Sequence, residues 1–125
     1  MARGLRRINK GNDKQAPLLE KDFLQQVIDL AHVYHYKVAH FRAARTAKGW
    51  RTPVQADGKG FPDLILVRIS DGSMIIAELK REIARVRPEQ QEWLDFFTEV
   101  ENQNKTIEVY VWHPSDFDEI VKALK

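Results

Sequence analysis

Asp63, Glu78 and Lys80 stand at the ends of two apolar runs rich in β-branched residues, Leu64-Ile65-Leu66-Val67 and Met74-Ile75-Ile76-Ala77. Two carboxylates on one side of a sheet can close around a divalent ion, so these residue types read as a metal site with a lysine beside it. A charged trio next to apolar strands is costly to bury unless an ion and water compensate it. The same residues would also serve as a solvated strand end, with Glu78 paired to Lys80 or Arg81. The Gly60-Phe61-Pro62 lead-in weighs towards the ion, because a proline suits the first residue of a strand and fixes how the chain arrives there.

The element that must position the trio is a β-hairpin, signalled by Asp71-Gly72 between the two runs. With Asp71-Gly72 as the turn, or Ser70 to Ser73 as a four-residue loop, Ser70 faces Ser73, Asp63 faces Lys80 and Ile65 faces Glu78. Asp63, Glu78 and Lys80 then share a face, with Asp63 and Glu78 as diagonal neighbours roughly 7–8 Å apart in the backbone.

Upstream, the spacing of Leu19, Phe23, Val27, Leu30, Ala31 and Tyr34 predicts a helix from Pro17 to about Tyr34. Glu20 falls on its apolar stripe. It is either a first-turn glutamate favoured by the helix dipole or a third carboxylate turned to the metal, directly or through water. Tyr36 to Arg42 reads as a strand, with His40 a strand residue whose ring is satisfied locally. A long loop follows from Arg42 to Pro53. Its Arg42, Arg45, Lys48 and Arg51 suit phosphates, and Trp50 suits stacking on an unpaired base, unless that indole tucks into the core. Arg81, Arg85 and Arg87 extend this nucleic-acid-binding set just beyond Lys80.

Pro88 opens a second helix running to about Val100, with Trp93, Leu94, Phe97 and Val100 as its packed face. Gln90 sits near its start, either solvated or holding a water or phosphate oxygen at the hairpin's active end. Thr106 to Trp112 alternates as a strand, and Ser115 is placed to cap a last helix packed through Phe117, Ile120, Val121 and Leu124. The sum is an α/β fold, a mixed sheet flanked by helices.

The 125 residues make one domain. The absence of cysteine excludes disulfides and thiolate zinc, and no apolar run is long enough for a membrane span or a signal peptide, so an intracellular (cytoplasmic) protein with no membrane partner is expected. The net charge of +2 conceals an asymmetry: residues 1–87 carry 17 Lys and Arg against 9 Asp and Glu, and residues 88–125 carry 3 against 9. A basic surface for a polyanion, backed by an acidic one, follows from that split. Residues 1–16, with Arg3, Arg6, Arg7, Lys10 and Lys14, read as a mobile basic arm that either lies along phosphates or only aids solubility, and residues 17–125 as the folded domain.

Taken together, Gly60-Phe61-Pro62-Asp63-Leu64, Glu78-Leu79-Lys80, Pro88-Glu89-Gln90-Gln91-Glu92-Trp93-Leu94 and Val109-Tyr110-Val111-Trp112-His113-Pro114 resemble the stand-alone VRR-NUC domains of phages and bacteria, a branch of the PD-(D/E)xK nucleases. The resemblance runs from about Glu20 to Leu124. It implies a restriction-endonuclease-like αβββαβ core, with Mg²⁺ or Mn²⁺ bound by Asp63 and Glu78 and helped by the Leu79 carbonyl. Glu20 corresponds to the first-helix acid, Lys80 to the catalytic lysine and Gln90 to a catalytic-site glutamine. The implied activity is metal-dependent hydrolysis of DNA phosphodiesters, structure-specific on branched DNA such as four-way junctions, by a homodimer whose two sites make two antiparallel cuts. The alternative is a non-catalytic DNA-binding or assembly protein on a nuclease scaffold. Two departures, Ala43-Ala44-Arg45-Thr46 in place of a polar cluster and Arg87 in place of a capping serine, bear on substrate preference.

Overall fold

The computed structural model describes residues 20–41, 44–46, 49–51 and 55–125, with the backbone alone at residues 20, 44–46 and 49–51. Helix α1 (Glu20–Val33) buries Phe23, Val27 and Ala31, spaced four apart on one stripe. It ends in a Schellman turn, where His35 takes the left-handed conformation (φ 71°) and Tyr36 N–H donates to the Ala31 carbonyl at 3.0 Å. That turn feeds strand β1 (Lys37–His40), after which come two three-residue strands, β2 (Ala44–Thr46) and β3 (Gly49–Arg51). The hairpin strands are β4 (Leu64–Arg68) and β5 (Ser73–Leu79), followed by α2 (Pro88–Gln103), β6 (Ile107–Trp112), a 3₁₀ turn (Pro114–Asp116) and α3 (Phe117–Leu124).

The main sheet runs β1-β4-β5-β6, antiparallel except for β6, which lies parallel to β5 and is reached through α2. Such a return to a parallel neighbour needs a crossover, and the helix supplies it. One sheet face carries Leu64, Leu66, Ile75, Ala77 and Leu79 and joins Phe23, Val27, Trp112, Ile120 and Leu124 in the core, so α1 and α3 cover that side. By alternation Ile76 and Glu78 emerge on the other side, under α2. This is the mixed sheet flanked by helices that the chain's periodicities imply.

The hairpin register departs from the expected one by two residues: Arg68 pairs with Ser73 and Leu64 with Ala77, so the turn occupies residues 69–72. Its physical cause is the Asp71 side chain. The Arg68 guanidinium grips the Asp71 carboxylate at 2.9 and 3.1 Å, and Ser73 N–H donates to the same carboxylate at 3.2 Å. A two-residue type I′ turn would need positive φ at both Asp71 and Gly72, and only Gly72 has it (φ 70°). Because the slip is by two, no side chain changes face. Asp63 therefore stands directly opposite Glu78, not diagonal to it, and Ile65 faces Ile76.

Three further expectations are corrected. Within the stretch expected as a loop, residues 44–46 and 49–51 are strands, β2 and β3, which pair antiparallel as a separate two-stranded ribbon with Arg45 opposite Trp50. Ser115 does not cap the last helix: its hydroxyl donates to Glu82 at 2.9 Å, and Asp116, at the N-cap position of that helix, turns its carboxylate to the start of the 3₁₀ turn, where it accepts from His113 N–H at 2.8 Å. Val100 is 42% exposed, because α2 packs through its first half. Arg68 also closes the far end of the molecule, donating to the carbonyls of Tyr34 and Leu124 at 3.0 and 2.9 Å while lying over the Tyr36 ring.

Candidate active site

Asp63 is held from two sides. Its carbonyl accepts from Phe41 N–H at 2.9 Å, which ties it to the end of β1, and its carboxylate accepts from Leu79 N–H at 2.9 Å, which ties it to the end of β5. The side chain thus continues the strand ladder where the β4 backbone stops. The approach to it is fixed by ring packing: Phe61 sits edge-on to Phe41, Trp93 and Phe97, with centroids 5.0–5.9 Å apart. The Trp93 indole N–H is shared between the carbonyls of Asp57 and Lys59, at 3.0 and 3.1 Å. Helix α2 is thereby pinned to the turn that delivers Asp63.

Glu78 is 2% exposed. Its Oε2 accepts from Gln90 Nε2 at 2.9 Å and lies 3.4 Å from Lys80 Nζ. Its Oε1 has no partner, and among the described residues it is the buried side-chain atom for which none is found. Burial first, and the neighbouring Asp63 carboxylate second, push the Glu78 carboxyl up to about 7, against the opposing pull of Lys80. An orphaned, buried acceptor with raised proton affinity calls for a proton or a cation.

Gln90, 8% exposed, lies in the first turn of α2 and is oriented from both ends. Its Oε1 accepts from Arg87 N–H at 2.9 Å, satisfying a free donor at the helix start, and this fixes the amide so that Nε2 donates to Glu78. Gln90→Ala is expected to leave the fold intact and to weaken binding of a divalent cation at this edge by about 10–100-fold, the usual cost of losing a group that orients a metal-binding side chain. Calorimetric titration with a divalent cation checks it.

Asp63, Glu78, Lys80 and Gln90 converge at one edge of the sheet. The Leu79 amide bonds to Asp63, while the Leu79 side chain belongs to the core on the opposite face. The Glu20 backbone opens α1, three residues before buried Phe23, and its side chain lies outside the described residues, as do the side chains of Arg45, Trp50 and Arg51 and the whole of Arg42 and Lys48. Arg81 and Arg85 are exposed, and Arg87 forms an ion pair with Glu89 at 3.1 Å, so it is less available to a phosphate. Sequence reasoning missed the indole pin and the amide bridge of Gln90. The signal for the first was a tryptophan on the helix that follows a Gly-Phe-Pro turn.

Among the described residues no three His, Cys, Asp or Glu side chains group closely enough to hold a metal alone. A pair of carboxylates with one unpartnered buried oxygen nevertheless fits Mg²⁺, which takes one or two carboxylates and keeps waters and substrate oxygens in its octahedral shell. Among the described residues no helix is long and apolar enough to cross a membrane.

The family model of the VRR-NUC domain matches residues 13–114. Comparisons with curated proteins and with solved structures found no match.

Proposed function

Since the chain belongs to the VRR-NUC domain family, within the PD-(D/E)xK nuclease-like superfamily, and its role is that of a nuclease, we propose that it is a Mg²⁺-dependent endonuclease acting on branched DNA such as four-way junctions. The observation that carries the reading is the buried, unpartnered Glu78 Oε1 opposite Asp63. Those two carboxylates would hold the ion, with the Leu79 carbonyl and Glu20 as further ligands; Mn²⁺ fits the same donors. When bound, the ion would supply a more acidic water and positive charge against the phosphorane-like transition state.

The chain's own residues do the rest. Gln90 keeps Glu78 Oε2 occupied, which leaves Oε1 for the ion. Lys80, a compact cation 3.4 Å from Glu78, orients the attacking water and meets the charge that develops on the phosphate oxygens as the water oxygen bonds to phosphorus and the ester oxygen departs. Arg81 and Arg85, with Arg42, Arg45, Lys48, Arg51 and Trp50, would lie along the nucleic acid, and the basic arm of residues 1–16 would add sequence-independent affinity. Two cuts across a branch of two-fold symmetry need two sites related by that axis, which favours a homodimer.

The test is cleavage of labelled four-way junction, flap, duplex and single-stranded DNA with Mg²⁺, by the wild type, Asp63→Ala and Lys80→Ala. The wild type is expected to cut the junction fastest. Both variants are expected to bind it unchanged while cutting falls by on the order of 10³-fold, the scale of losing one group that stabilises transition-state charge. A wild type that binds DNA and cuts none of the four would make it a non-catalytic binder.

A further inference from the structure

Between Lys80 and α2 the chain makes a short turn, closed by Ala84 N–H donating to the Arg81 carbonyl at 3.0 Å. Both flanks of the segment are fastened to the candidate site: Lys80 N–H donates to the Trp112 carbonyl at 2.9 Å, and Arg87 N–H donates to Gln90. The turn is also braced from the side, where Glu82 accepts from the Ser115 hydroxyl at 2.9 Å. At its tip Ile83 is 86% exposed, a branched aliphatic side chain held in water.

Its surroundings distinguish it from the other exposed large apolar residues among those described: Val33 ends α1, and Ile69 stands in the β4–β5 turn, at the opposite end of the hairpin from Asp63 and Glu78. Phe96 and Val100 lie on α2 among Glu92, Asp95 and Glu99, a surface that repels a polyanion. Ile83 stands between Arg81 and Arg85, both exposed and without ion pairs among the described residues. An apolar tip flanked by guanidinium groups matches a base face bordered by phosphates, and inserted aliphatic side chains are a recurrent way of filling a disrupted base step.

The geometry points to Ile83 as a wedge that covers the unstacked base face at a discontinuity in duplex DNA, and so as a residue that sets the preference for branched over linear substrate. This rests on the nuclease reading above. In a continuous duplex the side chain would first have to pry stacked bases apart, whereas at a branch point a base face is already open. The braced turn fixes the distance between that face and the Asp63–Glu78 edge, so cuts fall at a constant step from the branch.

The experiment uses full-length wild type, Ile83→Ser and Ile83→Leu on a four-way junction carrying 2-aminopurine at the branch and on the matching linear duplex. Wild type and Ile83→Leu are expected to raise the 2-aminopurine fluorescence on binding and to favour the junction. Ile83→Ser is expected to lose the rise and about 10-fold of the junction preference, with duplex affinity and melting temperature unchanged. If Ile83→Ser keeps both the rise and the preference, or if the wild type shows neither while still cutting DNA, the wedge is wrong and the nuclease reading stands. If the wild type neither binds nor cuts DNA of any form, both fall together.

Discussion

Glu78→Gln is expected to lower cutting by on the order of 10³-fold and, at the same time, to raise the melting temperature of the metal-free protein at pH 8. The two effects come from one cause. Burial and Asp63 raise the Glu78 carboxyl to about 7 in the folded chain, from an ordinary value of 4.5. Below pH 4.5 the group is protonated folded and unfolded, and nothing is lost. Between 4.5 and about 7 the unfolded chain gives up its proton while the fold retains it, so stability falls as pH rises, and it stays lost above about 7. The loss is on the order of 3 kcal/mol, and a neutral amide at position 78 removes it. Mg²⁺ is expected to act the other way, stabilising the wild type most at pH 8, little at pH 5, and the variant hardly at all. Thermal unfolding at pH 5 and 8, with Mg²⁺ and with chelator, checks all of this. A variant no more stable than wild type at pH 8 without metal would mean that the buried charge is compensated by another group.

The second large effect is expected at Gly60. Its φ of 84° is left-handed, and a Cβ there would lie 2.5 Å from the Glu89 carbonyl oxygen, 2.6 Å from the carbonyl carbon and 2.8 Å from the Glu89 Cγ. Two of those atoms are helix backbone in the first turn of α2, which cannot give way without moving the helix. Gly60→Ala is expected to destabilise by about 3 kcal/mol, lowering the melting temperature by about 10 °C. Gly72→Ala is the control. Its φ is also positive, at 70°, yet nothing lies within 4 Å of the added methyl group, so only the backbone strain remains, about 1 kcal/mol. Equal losses at the two positions would remove the close approach of turn and helix as the cause.

The chain's periodicities made the order of the main elements legible, because α1, β4, β5, α2, β6 and α3 each carry an apolar pattern long enough to impose itself. The register of the hairpin was not legible. Asp71 and Gly72 signalled a turn, but the turn's length was decided by a fork between Arg68 and the Asp71 carboxylate that no local propensity encodes. The difference did little harm because strand faces repeat every two residues, which kept Asp63 and Glu78 on one side. The β2–β3 ribbon escaped notice because three-residue strands are too short to show alternation. At the site, residue types and spacing picked out Asp63, Glu78 and Lys80. The two-ended grip of Gln90 could not be read, since it depends on how α2 is laid across the sheet.

The Trp93 pin has a consequence for how such a site fails. The indole clasps the peptide carbonyls of Asp57 and Lys59 while Gln90, one turn earlier on the same helix, steadies Glu78. The two acids are therefore tethered to a common lever, although they come from different strands. Any loosening of that lever releases the pair simultaneously, so damage far from either acid would register as lost affinity for any ion the pair holds well before bulk unfolding becomes visible.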